Sequence, residues 1–533
     1  MKQYDVIIIG AGPGGIFCAD ELKKKNPACR ILMVEKGRSI EKRVCPKRRT
    51  GRCVGCNPCS ITTGFAGAGA FSDGKLSLSA DVGGNLQDIV GYEEATRLIH
   101  ESDEIYLSFG ADSRVYGVDK EKEIREIRAR AIRANLKLVE CPIRHLGTEE
   151  GYKIYAKIQR HLEEAGVELL FETAVAEILT ESVNNMKSPA AGGHSGAETG
   201  AAVPESRAAA SDQRQTAQSA SARREAASAQ YQTAQSAPGQ SEAPSVHSGA
   251  SRVCGVRTAD GRSFYAPCVV AAVGRDGADW LSGECGRIGL RSTPGTVDIG
   301  VRVEVRDEIM QFLNENLYEA KLIYHTPTFD DKVRTFCTNP SGEVATEYYD
   351  DNLAVVNGHA YKGDAYKTNN TNFALLVSKN FTEPFRTPIE YGKKIAQLSN
   401  MLCGNRIIVQ TLGDFKRGRR STKERMCRNN LIPTLKDAVP GDLSLVFPHR
   451  IMVDLEEMLE ALDKVTPGIA SDETLLYGVE VKFYSNRVTV DAQFETSVRG
   501  LYAIGDGAGV TRGLQQASAN GLLAARAILR RQQ

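Results

Sequence analysis

The sequence lacks a dominant charge: 67 Lys and Arg stand against 66 Asp and Glu, a formal net charge of +1. No global field therefore draws it onto nucleic acid or an anionic membrane. It also lacks an apolar run long enough to cross a bilayer. Aromatic residues make up only 7% of the chain, with a single Trp, and few of them interleave with basic runs as a nucleic-acid surface would require. A second strand-associated Gly-x-Gly-x-x-Gly pattern is missing, so a dedicated second dinucleotide domain is not expected. The first apolar strand begins at Tyr4. That leaves no room for a signal peptide and leads to the expectation of a cytoplasmic chain. There, thirteen cysteines point to thiols, metal ligands or redox groups rather than a disulfide framework.

One long stretch lacks large apolar residues almost entirely. Residues 185–252 are Ala, Ser, Gln, Gly and Glu, and the hexapeptide Gln215 to Ala220 recurs as Gln232 to Ala237. Such a segment cannot bury enough surface to order itself, so it reads as a disordered low-complexity insertion within a hairpin. At 533 residues the rest is long enough for two or more domains.

What is present is concentrated at the start. Tyr4-Asp5-Val6-Ile7-Ile8-Ile9 runs into Gly10-Ala11-Gly12-Pro13-Gly14-Gly15. An apolar helical face (Ile16, Phe17, Ala19, Leu22) and a second apolar run, Ile31 to Val34, follow, ending in Glu35. This is a strand, glycine turn, helix, strand and acid in the order that binds a dinucleotide. Gly10 permits the tight turn, Gly12 lets a pyrophosphate approach the backbone, and Gly15 lets helix and strand pack closely. The amides of the first helical turn face the pyrophosphate, and Glu35 stands where a carboxylate can accept from a ribose diol. Alone, the motif suits NAD or FAD equally.

Further on, Ala272-Val273-Gly274-Arg275 ends a buried strand, and Gly500 to Gly509 is a strand ending in Gly505-Asp506. Between them, Val297 to about Lys482 reads as a mixed-sheet α+β region. Head and tail together resemble the two-domain flavoproteins related to glutathione reductase and p-hydroxybenzoate hydroxylase. Gly64 to Leu76, Val297 to Val305, Arg334 to Cys337, Val356 to His359 and Gly505 to Gly509 look like the bacterial uncharacterised FAD-dependent dehydrogenase (NAD(P)/FAD-dependent oxidoreductase) family. The resemblance implies an α/β fold: a discontinuous Rossmann-like FAD-binding domain with an inserted α+β mixed-sheet substrate domain. The FAD-binding domain would comprise 1–184, 253–290 and 486–533, and the inserted domain 291–485. It implies that the cofactor is FAD, with Gly505 and Asp506 at the ribityl–phosphate side. The cofactor set expected is Gly10, Gly12, Pro13, Gly14, Gly15, Glu35, Lys36, Gly67, Gly69, Ser72, Gly274, Arg275, Gly505, Asp506 and Gly507. It implies little about substrate.

Chemistry beyond the cofactor has several candidates. Cys45, Cys53, Cys56 and Cys59 form C-x7-C-x2-C-x2-C, a spacing that suits an iron–sulfur cluster, a zinc ion, a redox dithiol at Cys53 and Cys56, or unliganded thiols. The loop Gly67 to Lys75 is rich in small residues that let backbone amides meet a planar ring, and Lys75 could stabilise an anionic reduced flavin. Cys337 is a candidate nucleophile and His359 a candidate acid/base, grouped with Asn357 and Glu480. His145 reads as structural. Two basic runs, Lys42, Arg43, Lys47, Arg48, Arg49, Arg52 and Lys416, Arg417, Arg419, Arg420, Lys423, are either solvated surface or a docking site for an acidic donor or anionic substrate.

The expectation is therefore an FAD-dependent oxidoreductase acting on a small molecule, with NAD(P)H or a protein as electron donor and no membrane or nucleic-acid partner. An iron–sulfur cluster could relay electrons to the flavin. The competing readings are an FAD-stabilised scaffold or RNA-modification factor, and a flavin-dependent dithiol/disulfide reductase.

Overall fold

The computed structural model describes residues 3–46, 54, 56–71, 74–182, 251–349, 353–360, 364–381, 384–385 and 387–532. The low-complexity insertion as far as residue 250, Cys53, Ser72 and the basic residues Lys47, Arg48, Arg49 and Arg52 lie outside them.

Val6–Ile9 has apolar side chains on both faces, and all four residues are buried. A strand of that kind is stable only with both faces covered, the condition of a central parallel strand. It sits in the middle of a five-stranded parallel sheet. The strand order is Leu501–Ala503, Val269–Ala271, Val6–Ile9, Ile31–Val34 and Glu168–Leu170. The sheet thus takes its central strand from the start of the chain and an edge strand from its end, as expected for a discontinuous Rossmann-like unit. The first helix, Pro13–Lys25, starts with Pro in its first turn, where the missing N–H costs nothing. It packs on the last helix, Leu514–Gln532. A Cβ on Gly521 would lie 2.2 Å from the Gly14 carbonyl oxygen, so the small residues near the C-terminus set the approach of the two helices.

The second sheet has eight strands in the order Val439–Pro440, Ile408–Thr411, Leu475–Phe483, Val297–Arg306, Asn370–Lys379, Lys332–Asn339, Lys321–His325 and Lys137–Val139. All neighbours are antiparallel except the first pair, which makes it the mixed sheet expected of the inserted region. Its apolar core is separate from that of the first sheet. It includes Ile124, Ile127 and Ala131 from the helix Glu121–Arg133, so a helix and an edge strand from early in the chain pack on the late sheet.

In Val297–Arg306 the alternation of Val with polar residues does not leave one face in water. Asp298, Arg302 and Glu304 are as buried as the valines. Each then needs a buried partner. Asp298 meets Arg334, Arg302 meets Glu480, and Glu304 accepts from Tyr477, Thr434 and Asn370.

The strands flanking the insertion are Val175–Ser182 and Ser251–Thr258, with Ser182 directly opposite Ser251. Ser251 and Arg252, expected at the end of the insertion, already belong to the ladder. Because the strand ends face each other, a four-residue turn can replace residues 183–250. Shortening the connection by about four doublings of length lowers the loop-closure cost by about 2 kcal/mol. The deletion variant is expected to match or exceed the wild type in chemical denaturation; a loss of several kcal/mol would show that the segment contributes to folding.

Candidate functional site

The carboxyl ends of the parallel strands converge on the glycine turn, the place where open α/β sheets bind ligands. Gly10 has φ +99°, and a Cβ there would sit 2.8 Å from the Ala272 carbonyl oxygen. At Gly15 it would sit 2.2 Å from the Gly10 oxygen, whereas at Gly12 it would meet nothing within 4 Å. The glycines thus do different jobs. Gly10 and Gly15 are packing requirements, and Gly12 leaves open space at the N-terminus of the first helix. No side chain caps that helix, so its first amides are left for an external anion. Gly274 likewise faces open space, and Gly505, at φ +78°, follows the last strand of the same sheet.

Glu35 is buried, and its carboxylate turns back onto the main chain. It accepts from the amides of Ala11 at 2.9 Å, Gly37 at 2.8 Å and Gly64 at 3.1 Å. One side chain thereby ties the glycine turn, the end of the second strand and the start of the small-residue loop. The loop forms a 3-10 turn at Gly67–Ala70, and a Cβ on Gly67 would come 3.7 Å from the Gly12 Cα. Under Gly69 lie Leu514 and Tyr155. Of the glycines expected in the cofactor set, Gly12 and Gly67 are thus neighbouring backbone, whereas Gly69 faces Leu514 and Tyr155. Lys36 pairs with Asp276 at 2.5 Å, and Thr63 donates to the same carboxylate at 2.8 Å.

Arg43 belongs to a basic run that reads in the sequence as either solvated surface or a docking site, and the structure gives this residue neither role. Its side chain is buried, and its guanidinium donates to the carbonyls of Ser60, Ile61, Phe65 and Gly67 at 2.5–3.0 Å. Burial lowers its pKa to about 10, against the pull of Glu35. It moulds the loop leading into the cradle. In the second basic run, Arg417 pairs with Asp472, Arg419 with Asp414 and Lys416 with Glu460. Most of that run is internally neutralised and does not present a free basic patch.

Among the thiols, Cys45 is half-buried and Cys56 and Cys59 are exposed. Among the described residues no group of three or more His, Cys, Asp or Glu is arranged to hold a metal, and Cys53, the fourth member of the motif, lies outside them.

The candidate catalytic residues fall on two joined networks. The Lys75 ammonium lies 3.2 Å from Glu319 and donates to the Thr338 carbonyl at 2.8 Å. Lys75 therefore ties the cradle loop to the second sheet. Beside it His145 is buried against the Tyr318 ring, with centroids 5.0 Å apart. Cys337 adopts φ +49° at a break in strand register. Its amide donates to Glu319 at 3.1 Å, and its carbonyl accepts from Arg302 at 3.1 Å. Arg302 is fully buried and donates through two nitrogens to Glu480 at 2.7 and 2.8 Å, and to Asn357 at 3.3 Å. Of the residues grouped by sequence, Cys337, Asn357 and Glu480 all meet Arg302, which the sequence reading passed over, and no such contact brings in His359 among the described residues. His359 ends its strand exposed. Glu319 was also missed, because it gains meaning only from partners distant in sequence.

Burial raises the Glu319 pKa, but the Lys321 and Lys75 ammoniums outweigh it and hold the value at about 2. Since the folded pKa lies below that of an unfolded Glu, about 4.3, the stabilisation is full above that value and is lost as pH falls toward 2. Urea denaturation is expected to show a steeper loss of stability from pH 4.5 to 2.5 for wild type than for Glu319→Gln. Parallel profiles would contradict this account.

Residues 296–483 match the family model described as "FAD-dependent protein, C-terminal domain-like". A protein of Clostridium beijerinckii is 28% identical over 250 residues, 43% of this chain and 46% of that protein. The match thus spans about half the length of that relative. Among solved structures, L-proline dehydrogenase from P. horikoshii aligns with a TM-score of 0.37 at 11% identity, covering 99% of this chain and 94% of that one. Glycine oxidase from Bacillus cereus aligns with a TM-score of 0.34 at 12% identity, covering 100% and 96%. The family-model match thus covers residues 296–483 only, and it is that region which is similar to the C-terminal domain of FAD-dependent proteins.

Proposed function

We propose that the chain binds FAD in the cradle formed by Gly12, Gly67, Gly274 and Gly505 and works as an FAD-dependent oxidoreductase on a small molecule. The observation that carries the reading is the open space at Gly12, at an uncapped helix N-terminus beside the small-residue loop. This fits a pyrophosphate, which needs close backbone approach and amide donors. When bound, FAD supplies transfer of a hydride or an electron pair. The chain's own residues hold and shape the site. Glu35 fixes the three backbone segments, Arg43 the incoming loop, and Thr511 donates to Asp506 at 2.7 Å, which holds that carboxylate at the end of the last strand. With its ammonium on Glu319, Lys75 acts here by positioning the loop. Cys337, with its amide and carbonyl both engaged, is held in one orientation on the second sheet.

The finer readings remain proposals. A metal or iron–sulfur cluster on Cys45, Cys53, Cys56 and Cys59 rests on the sequence spacing. The scaffold or RNA-factor reading loses support from the pairing of the second basic run. Anaerobic stopped-flow reduction of the holoprotein, with iron and zinc analysis of the same sample, separates the possibilities. Reduction by NADH, NADPH or a reduced protein donor is expected. A flavin that none of these reduces, with salt-sensitive RNA binding, would favour the scaffold.

The glycines give a sharper pair. Gly12→Ala is expected to keep the apoprotein's denaturation midpoint while losing at least about tenfold in FAD affinity, since its methyl enters the ligand space. Gly15→Ala is expected to lower the midpoint itself, because its methyl overlaps the Gly10 carbonyl. Equal behaviour of the two variants would contradict the assignment.

A further inference from the structure

The strand Lys332–Asn339 lies inside the second sheet, between Asn370–Lys379 and Lys321–His325. Val333 belongs to the apolar core, so Arg334 stands on the opposite face, together with the half-buried Phe336 two residues on. We infer that this face, at Arg334 and Phe336, is the anchoring subsite for the carboxylate of an organic-acid substrate, with the Arg334 guanidinium as its donor and the Lys321 ammonium adding positive charge. The inference rests on the FAD-oxidoreductase reading and names the substrate class for it.

The Arg334 guanidinium is held in place and yet open. Its Nε and Nη2 donate to Asp298 at 3.2 and 2.6 Å, and Nη2 donates also to the Tyr484 hydroxyl at 2.7 Å. Its central carbon lies 4.8 Å from the centroid of the Phe336 ring. A bidentate carboxylate and an aromatic ring fix the plane of a guanidinium before any ligand arrives. The third nitrogen, Nη1, has no hydrogen-bond partner among the described residues, and it is not one of the unpartnered polar atoms that are shut off from solvent. The Arg334 side chain is 21% exposed and that of Asp298 only 2%. The open edge of the pair is therefore the cationic one.

On the neighbouring strand, the Lys321 ammonium lies 5.8 Å from the same ring centroid. It pairs with Glu319 at 2.5 Å, and the Lys75 ammonium lies 3.2 Å from the same residue. Two lysines thus share one carboxylate while Asp298 offsets Arg334, which leaves positive charge in excess beside Phe336. Lys75 follows the small-residue loop of the cradle and donates to the carbonyl of Thr338, so the cradle loop reaches the second sheet within two residues of Phe336. One open guanidinium nitrogen beside an ammonium suits the single charge of a carboxylate better than a phosphate monoester, which carries nearly two negative charges at neutral pH. The half-buried ring suits an apolar body on the acid.

Calorimetric titration of the FAD-loaded protein with benzoate, with its neutral amide benzamide and with inorganic phosphate tests the inference, the FAD-to-protein ratio and the flavin spectrum being read by absorbance. Saturable benzoate binding with a saturable change in the flavin spectrum is expected, with benzamide and phosphate each at least about tenfold weaker. Arg334→Lys keeps a cation for Asp298 but offers a ligand no second nitrogen. It is expected to weaken benzoate by about tenfold or more, and Lys321→Met by a few-fold, both at unchanged FAD ratio. No benzoate isotherm on a flavin-loaded protein, benzamide or phosphate binding as tight as benzoate, or an Arg334→Lys variant that binds benzoate normally would overturn the inference alone. So would benzoate binding that leaves the flavin spectrum unchanged, or loss of FAD in a folded Arg334→Lys variant, which would assign the arginine to the cofactor. If Arg334→Lys does not fold, Lys321→Met decides, and normal benzoate binding by that variant overturns the inference. A wild-type chain that takes up no FAD would instead overturn the reading on which it rests.

Discussion

The buried carboxylate of Glu35 is the contact on which the first sheet's site depends. Taking a carboxylate out of water is costly unless its oxygens are met by donors. Here three backbone amides, from Ala11, Gly37 and Gly64, meet them. Hydrogen bonds to an ionised acceptor are stronger than neutral ones, so the anion holds three separate backbone segments in one arrangement. Gly12 and Gly67 become neighbours, and the first helix presents its amides to open space. A carboxylate has about four acceptor positions, so three amides still leave room for a ribose hydroxyl. Glu35 can brace the cradle and meet the ligand.

Arg43 complements this from the other side. A buried cation that meets four carbonyls is costly to replace, because its loss orphans the acceptors around it. The second sheet follows the same logic with ion pairs. Arg302 with Glu480, and Arg334 with Asp298, sit between strands whose apolar residues already face a core. Buried pairs of this kind are weak sources of net stability, but breaking one strands a charge. They fix where Cys337 and Tyr484 stand, and through Lys75 and Glu319 they join the second sheet to the cradle loop. A polar frame of Glu35 and Arg43 thus sets the backbone around the open space at Gly12, and the second sheet has its own buried pairs.

Local chemistry was legible in the sequence wherever it lay within one short stretch. The strand, turn and helix around Gly10 to Gly15 carry their reason in glycine spacing, and the structure gives distinct physical roles to Gly10, Gly12 and Gly15. The sheets could be anticipated from apolar runs, and the mixed character of the second from its alternating strands. Alternation alone does not show burial: in Val297–Arg306 both faces are covered, and the polar residues find partners up to 186 positions away. Arg43 was not legible for a related reason: a basic run suggests solvent or an acidic partner, and nothing local shows that four carbonyls will fold around one of its members.

The central claim is that this frame holds FAD. Its most direct test is to release the cofactor from the purified chain by denaturation and identify it by chromatography, after supplementation with FAD. The account predicts intact FAD at one equivalent per chain. A chain that carries no flavin and takes up none from excess FAD would contradict it.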